Sequence, residues 1–216
     1  MVDILWLIIC YIYIFCVLNM SANLKQFGDE TARKFPHIAI ANIWFIMNHF
    51  FSNIHISLIV PFFMIFIMAY SEKYNIFDGL KREEESISYG TVCYFVSMLI
   101  LAIIGDLRYG SLIPLGGFFL LLGYGDAFAA LFGKRFHIGQ YRILNYKKSI
   151  SGNIAMMVTS LIIFGGYVRI YKLDYSLIQI VFIAFVATIV ETLSIKGTDN
   201  FTIPVVTYFS YELFLR

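Results

Sequence analysis

The chain has 216 residues, of which 60% are hydrophobic and only 14% are charged. Soluble domains have about 25% charged residues, so this composition excludes an ordinary soluble protein and predicts a polytopic helical membrane protein. A formal net charge of +2 is too small to indicate nucleic-acid binding. Because no polar stretch is long enough to build its own core, residues 1–216 are predicted to form one integral membrane domain.

Eight apolar segments follow one another along the chain, and each is predicted to be a transmembrane helix. Their bounds are about 2–18, 38–52, 54–70, 88–104, 111–133, 150–168, 175–195 and 201–215. The second and last are short for a full span, and residues 38–70 also fit a tilted pair or a re-entrant hairpin. The predicted fold class is therefore all-α, a transmembrane bundle of about seven or eight helices.

Loop charge orients this predicted bundle. With the N-terminus outside, the inner loops carry 12 of the 16 Lys and Arg residues. These loops are 19–37, 71–87, 134–149 and 192–200. Basic residues favour the cytoplasmic side of a membrane, so we expect a multi-pass protein whose polar loops face the cytoplasm.

The first inner loop ends in ETARKFPHI, residues 30–38. Arg33, Lys34 and His37 recur there at helical spacing after Glu30. Two interpretations stay open. The stretch is either a solvated helix that touches lipid headgroups or a cationic clamp for a phosphate.

The stretch GYGDAFAALFGKRFHIGQYRILNYKKSISGN, residues 123–153, contains an acidic residue within an apolar helix. An ionisable residue in such a position indicates function. Gly123, Ala130 and Gly133 share a helix face with this residue, Asp126, and small side chains let another helix approach closely. We therefore expect Asp126 to face the bundle.

Basic residues and the start of a helix follow this acidic residue. They are Lys134, Arg135, a short glycine-containing loop, and then Lys147, Lys148, Ser149 and Gly152. Cations, a hydroxyl and a helix N-terminus are groups that bind a polyphosphate. The alternative is a basic loop that only fixes membrane topology.

The stretch ETLSIKGTDNFTIP, residues 191–204, adds carboxylates on the same predicted side. Glu191 shares a helix face with small residues and is expected to point inward. Asp199 and Asn200 precede the last helix, where an isolated Asp-Asn pair would be an ordinary cap. Mg²⁺ takes one or two carboxylates plus phosphate oxygens, so Asp126, Glu191 and Asp199 are predicted metal ligands. A nucleotide from the cytoplasm and a substrate from the bilayer would meet there, which indicates phosphoryl or nucleotidyl transfer to a lipid.

Several blocks together resemble the polyprenol kinase family, which includes phytol, farnesol and dolichol kinases and a CTP-using diacylglycerol kinase. They are RKFPHI, REEESISYGTVCYF, GDAFAALFGKRF, KKSISGN and ETLSIKGTDNFTIPVV, in the family's order. The resemblance covers about residues 30–210. It implies CTP-dependent phosphorylation of a membrane alcohol such as phytol, farnesol or geranylgeraniol, with release of CDP and a requirement for Mg²⁺ or another divalent cation.

The resemblance also implies roles for individual residues. The family's CTP-binding pattern falls on Asp126, Ala129, Gly133, Lys147, Lys148, Ser149 and Gly152, and its C-terminal block on Glu191, Asp199, Asn200 and Pro204. The predicted nucleotide-binding set also includes Gly125, Lys134, Arg135, Arg33, Lys34 and His37. The catalytic base stays open between Asp126, Glu191 and Asp199. Ser151 departs from the family, which often has Glu at this position.

Other activities also fit parts of the sequence. The middle blocks resemble the phosphatidate cytidylyltransferases, but the His-Gly-Gly and Asp-Arg-rich signature of that family does not occur here. Diacylglycerol is a second possible substrate for a kinase. A transporter or membrane scaffold would also contain inward-facing carboxylates, although no internal repeat supports a transporter.

Overall fold

A computed structural model gives the conformation of the chain and describes residues 2–74, 76–77, 89–143, 146–195 and 197–215. Its helices are α1 (Val2–Asn23), α2 (Asp29–Ala41), α3 (Ile43–His49), α4 (Ile54–Ser57), α5 (Ile59–Tyr74), α6 (Gly90–Tyr109), α7 (Ile113–Leu120), α8 (Ala127–Phe136), α9 (Ile150–Tyr171), α10 (Leu177–Leu193) and α11 (Asp199–Phe214). A 3₁₀ turn, Leu24–Phe27, follows α1, and a π-helical turn, Leu121–Asp126, joins α7 to α8. The predicted all-α helical bundle is confirmed.

Five helical stretches in the described part of the chain are long and apolar enough to cross a membrane. They are Val2–Phe27, Ile54–Tyr74, Gly90–Tyr109, Ile113–Phe136 and Ile150–Tyr171. The other predicted segments are also helical, but α10 is shorter, and residues 38–52 are divided between α2 and α3. Helix α2 begins at Asp29, so much of the predicted first inner loop is helical. The number of crossings and the side of the N-terminus stay predictions.

The fourth candidate span, Ile113–Phe136, is the most enclosed of the five. An apolar 18-residue stretch of it is 72% buried, against 28 to 44% for the corresponding stretches of the others. Helix α7 packs in the core against Trp44, Phe164 and Tyr208. The π-helical turn of the same span therefore lies between other helices, where an acidic side chain is kept from lipid.

Helix α2 approaches this turn very closely. A Cβ atom at Gly123 would lie 2.3 Å from the Ala41 Cβ atom and 3.1 Å from the His37 carbonyl oxygen. Only glycine fits this crossing without displacing α2. The turn thereby sets Asp126 beside the basic face of α2.

The segment between α8 and α9 contains a β-hairpin, where the sequence had predicted only a loop. Strands β1 (Gln140–Ile143) and β2 (Tyr146–Ser149) are antiparallel, and Gln140 pairs with Ser149. More exposed and less exposed side chains alternate along both strands, a period typical of β-structure, but each strand has only four residues, and Tyr146–Ser149 has no alternation of apolar and polar residue types. The hairpin fixes the lysines of β2 directly before the start of α9.

Candidate active site

A polar cleft of about 620 Å³ opens at one end of the bundle, between α2, α8, the hairpin and the adjacent ends of α10 and α11. Twelve of the sixteen predicted site residues line it. They are Arg33, Lys34, Asp126, Ala129, Gly133, Lys134, Lys147, Lys148, Ser149, Gly152, Glu191 and Asp199. The structure therefore brings together residues from four stretches that are far apart in the sequence.

The other four predicted residues lie outside the cleft. Gly125 is buried and backs onto Met156 of α9. Arg135 is exposed at the end of α8. His37 and Asn200 are buried, and their side chains are hydrogen-bonded to each other. Lys196 and the residues 82–88 of REEESISYGTVCYF are outside the described residues.

A buried ion pair joins α2 to the π-helical turn. The Lys34 ammonium donates to the Asp126 carboxylate, and the two residues are only 1% and 3% exposed. The expectation that Asp126 faces the bundle is confirmed. The sequence associated Lys34 with a phosphate, whereas in the structure the side chain neutralises the buried carboxylate at the inner end of the cleft.

A second network lies behind the cleft and connects three helices. The Asn200 amide donates to the Gly90 carbonyl oxygen at 2.7 Å, so its oxygen faces the His37 Nε2 atom at 3.0 Å. The Tyr94 hydroxyl donates to the His37 carbonyl oxygen at 2.8 Å. Burial, together with the charges of Lys34 and Arg33, lowers the pKa of His37 to about 4. His37, which lies outside the five candidate spans, is therefore a neutral link between helices and not a cation of the clamp.

The first turn of α9 begins at the cleft with a side-chain cap. The Ser149 hydroxyl accepts a hydrogen bond from the Gly152 backbone N–H at 3.1 Å. The Ser151 hydroxyl in turn donates to the Ser149 oxygen at 3.1 Å. Ser151, the departure from the family pattern, therefore supports the cap. The N-terminal end of a 22-residue helix, with its positive dipole end, forms part of the cleft wall.

Helices α8 and α9 cross beside this cap at two glycines. A Cβ atom at Gly133 would lie 2.8 Å from the Ser149 oxygen, and one at Gly152 would lie 3.0 Å from the Ala129 carbonyl oxygen. The resemblance assigned both glycines to nucleotide binding. The close packing of α8 against α9 is by itself a sufficient reason for glycine at these two positions. Close approach of helices through small residues is typical of membrane bundles.

Replacing Gly152 by Ala is therefore expected to destabilise the protein. The new methyl group would be pressed against a backbone carbonyl that cannot rotate away, and such overpacking costs about 1–3 kcal/mol. The melting temperature of the purified protein measures this effect. The control is Gly166→Ala in the same helix, where no atom beyond the adjoining residues and backbone of that helix lies within 4 Å of the new Cβ position. Equal melting temperatures for the two variants would contradict the packing role.

Charges in the cleft are mostly paired. Arg33 donates to Glu30 at 2.8 Å, Lys148 donates to Glu191 at 2.6 Å, and Lys34 is paired as described above. Three further charged side chains line the cleft without an ion pair in the described part of the chain. They are Lys134, Lys147 and Asp199. The cleft therefore offers two exposed ammonium groups and one unpaired carboxylate to a ligand.

The unpaired carboxylate has an altered acidity. Burial and the neighbouring Asp126 carboxylate raise the pKa of Asp199, which precedes the apolar part of α11. Two carboxylates that disfavour each other's charge bind a cation more readily than either alone. Among the described residues, however, no three His, Cys, Asp or Glu side chains form a group that could hold a metal. Asp126, Asp199 and Glu191 therefore do not make a self-contained metal centre, whereas Asp126 and Asp199 fit Mg²⁺ that is also bound by phosphates.

The fold and the cleft define the class of this protein: a multi-pass helical membrane protein with a charged, partly buried cleft at one end of its bundle. Two curated proteins are similar to it. The chain is 29% identical to the phytol kinase of Synechocystis sp. over 120 residues, which cover 54% of the chain and 51% of the relative. It is 32% identical to the probable phytol kinase 1, chloroplastic, of Glycine max over 126 residues, which cover 53% of the chain and 40% of the relative.

These alignments span about half or less of the length of the curated relatives. No family model and no solved structure matches the chain. The chain is thus similar to two proteins named as phytol kinases, and the resemblance to the polyprenol kinase family is confirmed.

Proposed function

We propose that this protein is a lipid-alcohol kinase that transfers the γ-phosphate of CTP to a polyprenol-type alcohol such as phytol, farnesol or geranylgeraniol. The observation that carries the proposal is one cleft that gathers basic side chains, a capped helix N-terminus and the carboxylates of Asp126 and Asp199 at one end of a membrane bundle. The relatives' names, phytol kinases, support the coarser part of the proposal, phosphorylation of a lipid alcohol. Phosphoryl transfer needs positioning and charge stabilisation more than covalent catalysis, and these groups supply both.

In the proposed reaction the alcohol oxygen bonds to the γ-phosphorus, and the bond from that phosphorus to the bridging oxygen of the β-phosphate breaks. The products are the lipid monophosphate and CDP. Lys147 and Lys134 are exposed at the cleft and would bind phosphate oxygens as point charges. The N-terminus of α9 would contribute backbone N–H groups to the same phosphates.

The carboxylates would act at the inner end of the cleft. Asp126 and Asp199 would hold Mg²⁺ together with the phosphates. The ion would neutralise the negative charge of the phosphates. Lys34 would hold the Asp126 carboxylate in place before a nucleotide binds, through their buried ion pair. Asp199 has no ion-pair partner in the described residues, so it would receive the hydroxyl proton on the carboxylate oxygen that does not hold Mg²⁺.

The hairpin contains a further indication of an anionic ligand. Arg142 and Lys147 are directly opposite each other in the β1–β2 register. Like charges in this position destabilise a strand pair. A bound polyphosphate would relieve the repulsion, whereas a cationic ligand would increase it.

Two other functions receive less support. A phosphatidate cytidylyltransferase would use a similar CTP cleft, but its C-terminal signature is missing. A transporter would be expected to bind its substrate near the bilayer midplane, whereas this cleft lies beside the ends of α8 and α10 and the starts of α9 and α11.

The proposal is tested with purified protein in lipid nanodiscs and γ-labelled CTP. Phytol, farnesol, geranylgeraniol and diacylglycerol are supplied separately, and ATP, GTP and UTP serve as comparison donors. We expect labelled lipid monophosphate from at least one prenyl alcohol, with CTP as the best donor. Absence of label in every lipid, with every donor, would contradict the proposal.

A further inference from the structure

We infer that Glu191 is a positioning residue, which orients Lys148 toward the nucleotide phosphates and does not itself hold metal or accept the substrate proton. The inference deepens the proposed function and rests on it, because it assigns Lys148 to those phosphates. It changes the role that the sequence predicted for Glu191, which was that of a metal ligand or base.

Two oxygen atoms of Glu191 hold the same ammonium group. The Lys148 Nζ atom donates to the Glu191 Oε1 atom at 2.6 Å and to the Glu191 carbonyl oxygen at 2.6 Å. Glu191 is only 8% exposed. Hydrogen bonds to charged groups are shorter and stronger than neutral ones, so the lysine is held in one direction.

The end of α10 explains why the carbonyl oxygen takes part. Helix α10 ends at Leu193, and the last four carbonyl groups of a helix have no intrahelical partner. Glu191 is within this last turn, and α10 has no basic residue of its own there. Lys148 supplies the positive charge that is favourable at a helix C-terminus. Strand β2 is thereby fastened to α10 across the cleft.

This arrangement leaves one N–H of the ammonium group available. A lysine ammonium has three donors, and Glu191 takes two of them. The third can reach a ligand in the cleft, which Lys148 lines. Lys147, the neighbouring residue, is exposed and has no ion-pair partner in the described residues, so its direction is not fixed. Lys148 is thus the preoriented lysine of the pair.

A double-mutant cycle tests whether Glu191 acts through Lys148. The variants are Glu191→Gln, Lys148→Met and the double variant, and the readouts are KM for CTP, kcat and the Mg²⁺ concentration at half-maximal activity. Each single change should raise KM about tenfold, as loss of a charged hydrogen bond does. Both should leave kcat and the Mg²⁺ dependence nearly unchanged. The double variant should be no worse than Lys148→Met, because coupled residues are not additive.

Several outcomes would overturn the inference. Additive effects of the two substitutions would show that Glu191 acts independently of Lys148. Loss of kcat in Glu191→Gln, or a higher Mg²⁺ requirement, would restore the metal or base role. The matched control is Glu212→Gln, which alters an ion pair with Arg108 in the last turns of α6 and α11, away from the cleft. It should leave KM for CTP unchanged.

A chemical measurement separates this inference from the proposed function. Amine acetylation of the purified protein, mapped by mass spectrometry, reports how strongly each lysine is held. Glu191→Gln should speed the labelling of Lys148 several-fold and leave that of Lys147 unchanged. If wild-type protein transfers no phosphate but this change is seen, the proposed function fails and the Glu191–Lys148 pairing stands. Unchanged labelling of Lys148 would overturn the pairing even in an active kinase.

Discussion

Replacing Asp126 by Asn is expected to reduce phosphate transfer by at least about 100-fold, the usual cost of removing a preorganised electrostatic group. The protein should also become less stable. The substitution leaves the Lys34 ammonium buried without its counter-ion, and breaking a buried pair on one side costs about 3–5 kcal/mol. Enzyme assays and thermal melts of the same preparation measure the two effects.

A second variant separates the two effects. Removing both charges with Lys34→Met and Asp126→Leu leaves no unpaired ion, and apolar replacement of a whole buried pair is often neutral or stabilising. Its melting temperature should therefore return close to that of the wild type, while phosphate transfer stays absent. Full activity in either variant would contradict the role of Asp126.

Replacing Asp199 by Asn is expected to reduce kcat by about 100-fold or more, within the usual range for a lost general base, but without loss of stability. Asp199 has no ion-pair partner among the described residues, so no charge is left unpaired. The raised pKa of Asp199 gives the sign of the effect. The pKa of this carboxyl is higher in the folded state than in the unfolded state. At neutral pH the carboxyl is ionised in both states, and its charge then lowers the free energy of unfolding. Removing its charge should leave the melting temperature unchanged or raise it.

Asp29→Asn is the matched control for this prediction. Asp29 is likewise in the first turn of a helix, α2, but it is exposed and does not line the cleft. The same substitution there should leave kcat unchanged. A normal kcat in Asp199→Asn would contradict the catalytic role, and a large fall in its melting temperature would indicate a structural one.

The parts of the site that could be predicted from the sequence are those that helix periodicity controls. An acidic residue among small residues in an apolar helix had to face other helices, and Asp126 does. The basic loops that follow it also had to lie at one end of the bundle, because hydrophobic helices of this length alternate direction. This is why twelve predicted residues meet in one cleft.

The pairing between helices could not be predicted in this way. Periodicity gives the face of a helix but not the helix that packs against it. Lys34 and Asp126, 92 residues apart, were therefore assigned to different ligands, a phosphate and a metal. Lys148 and Glu191 were separated for the same reason. The hairpin was missed because four-residue strands give too short a pattern, and the burial of His37 because its neighbours on α6 and α11 are distant in sequence.

The central claim is that the γ-phosphate of CTP is transferred to a lipid hydroxyl in this cleft. The most direct measurement supplies α-labelled and γ-labelled CTP in parallel, with phytol and phosphatidate both present, and follows label into lipid. We predict that only the γ-label enters lipid, as a monophosphate, while the α-label is recovered in CDP. Entry of the α-label into lipid with release of pyrophosphate would contradict the claim, because it would identify nucleotidyl transfer to phosphatidate instead.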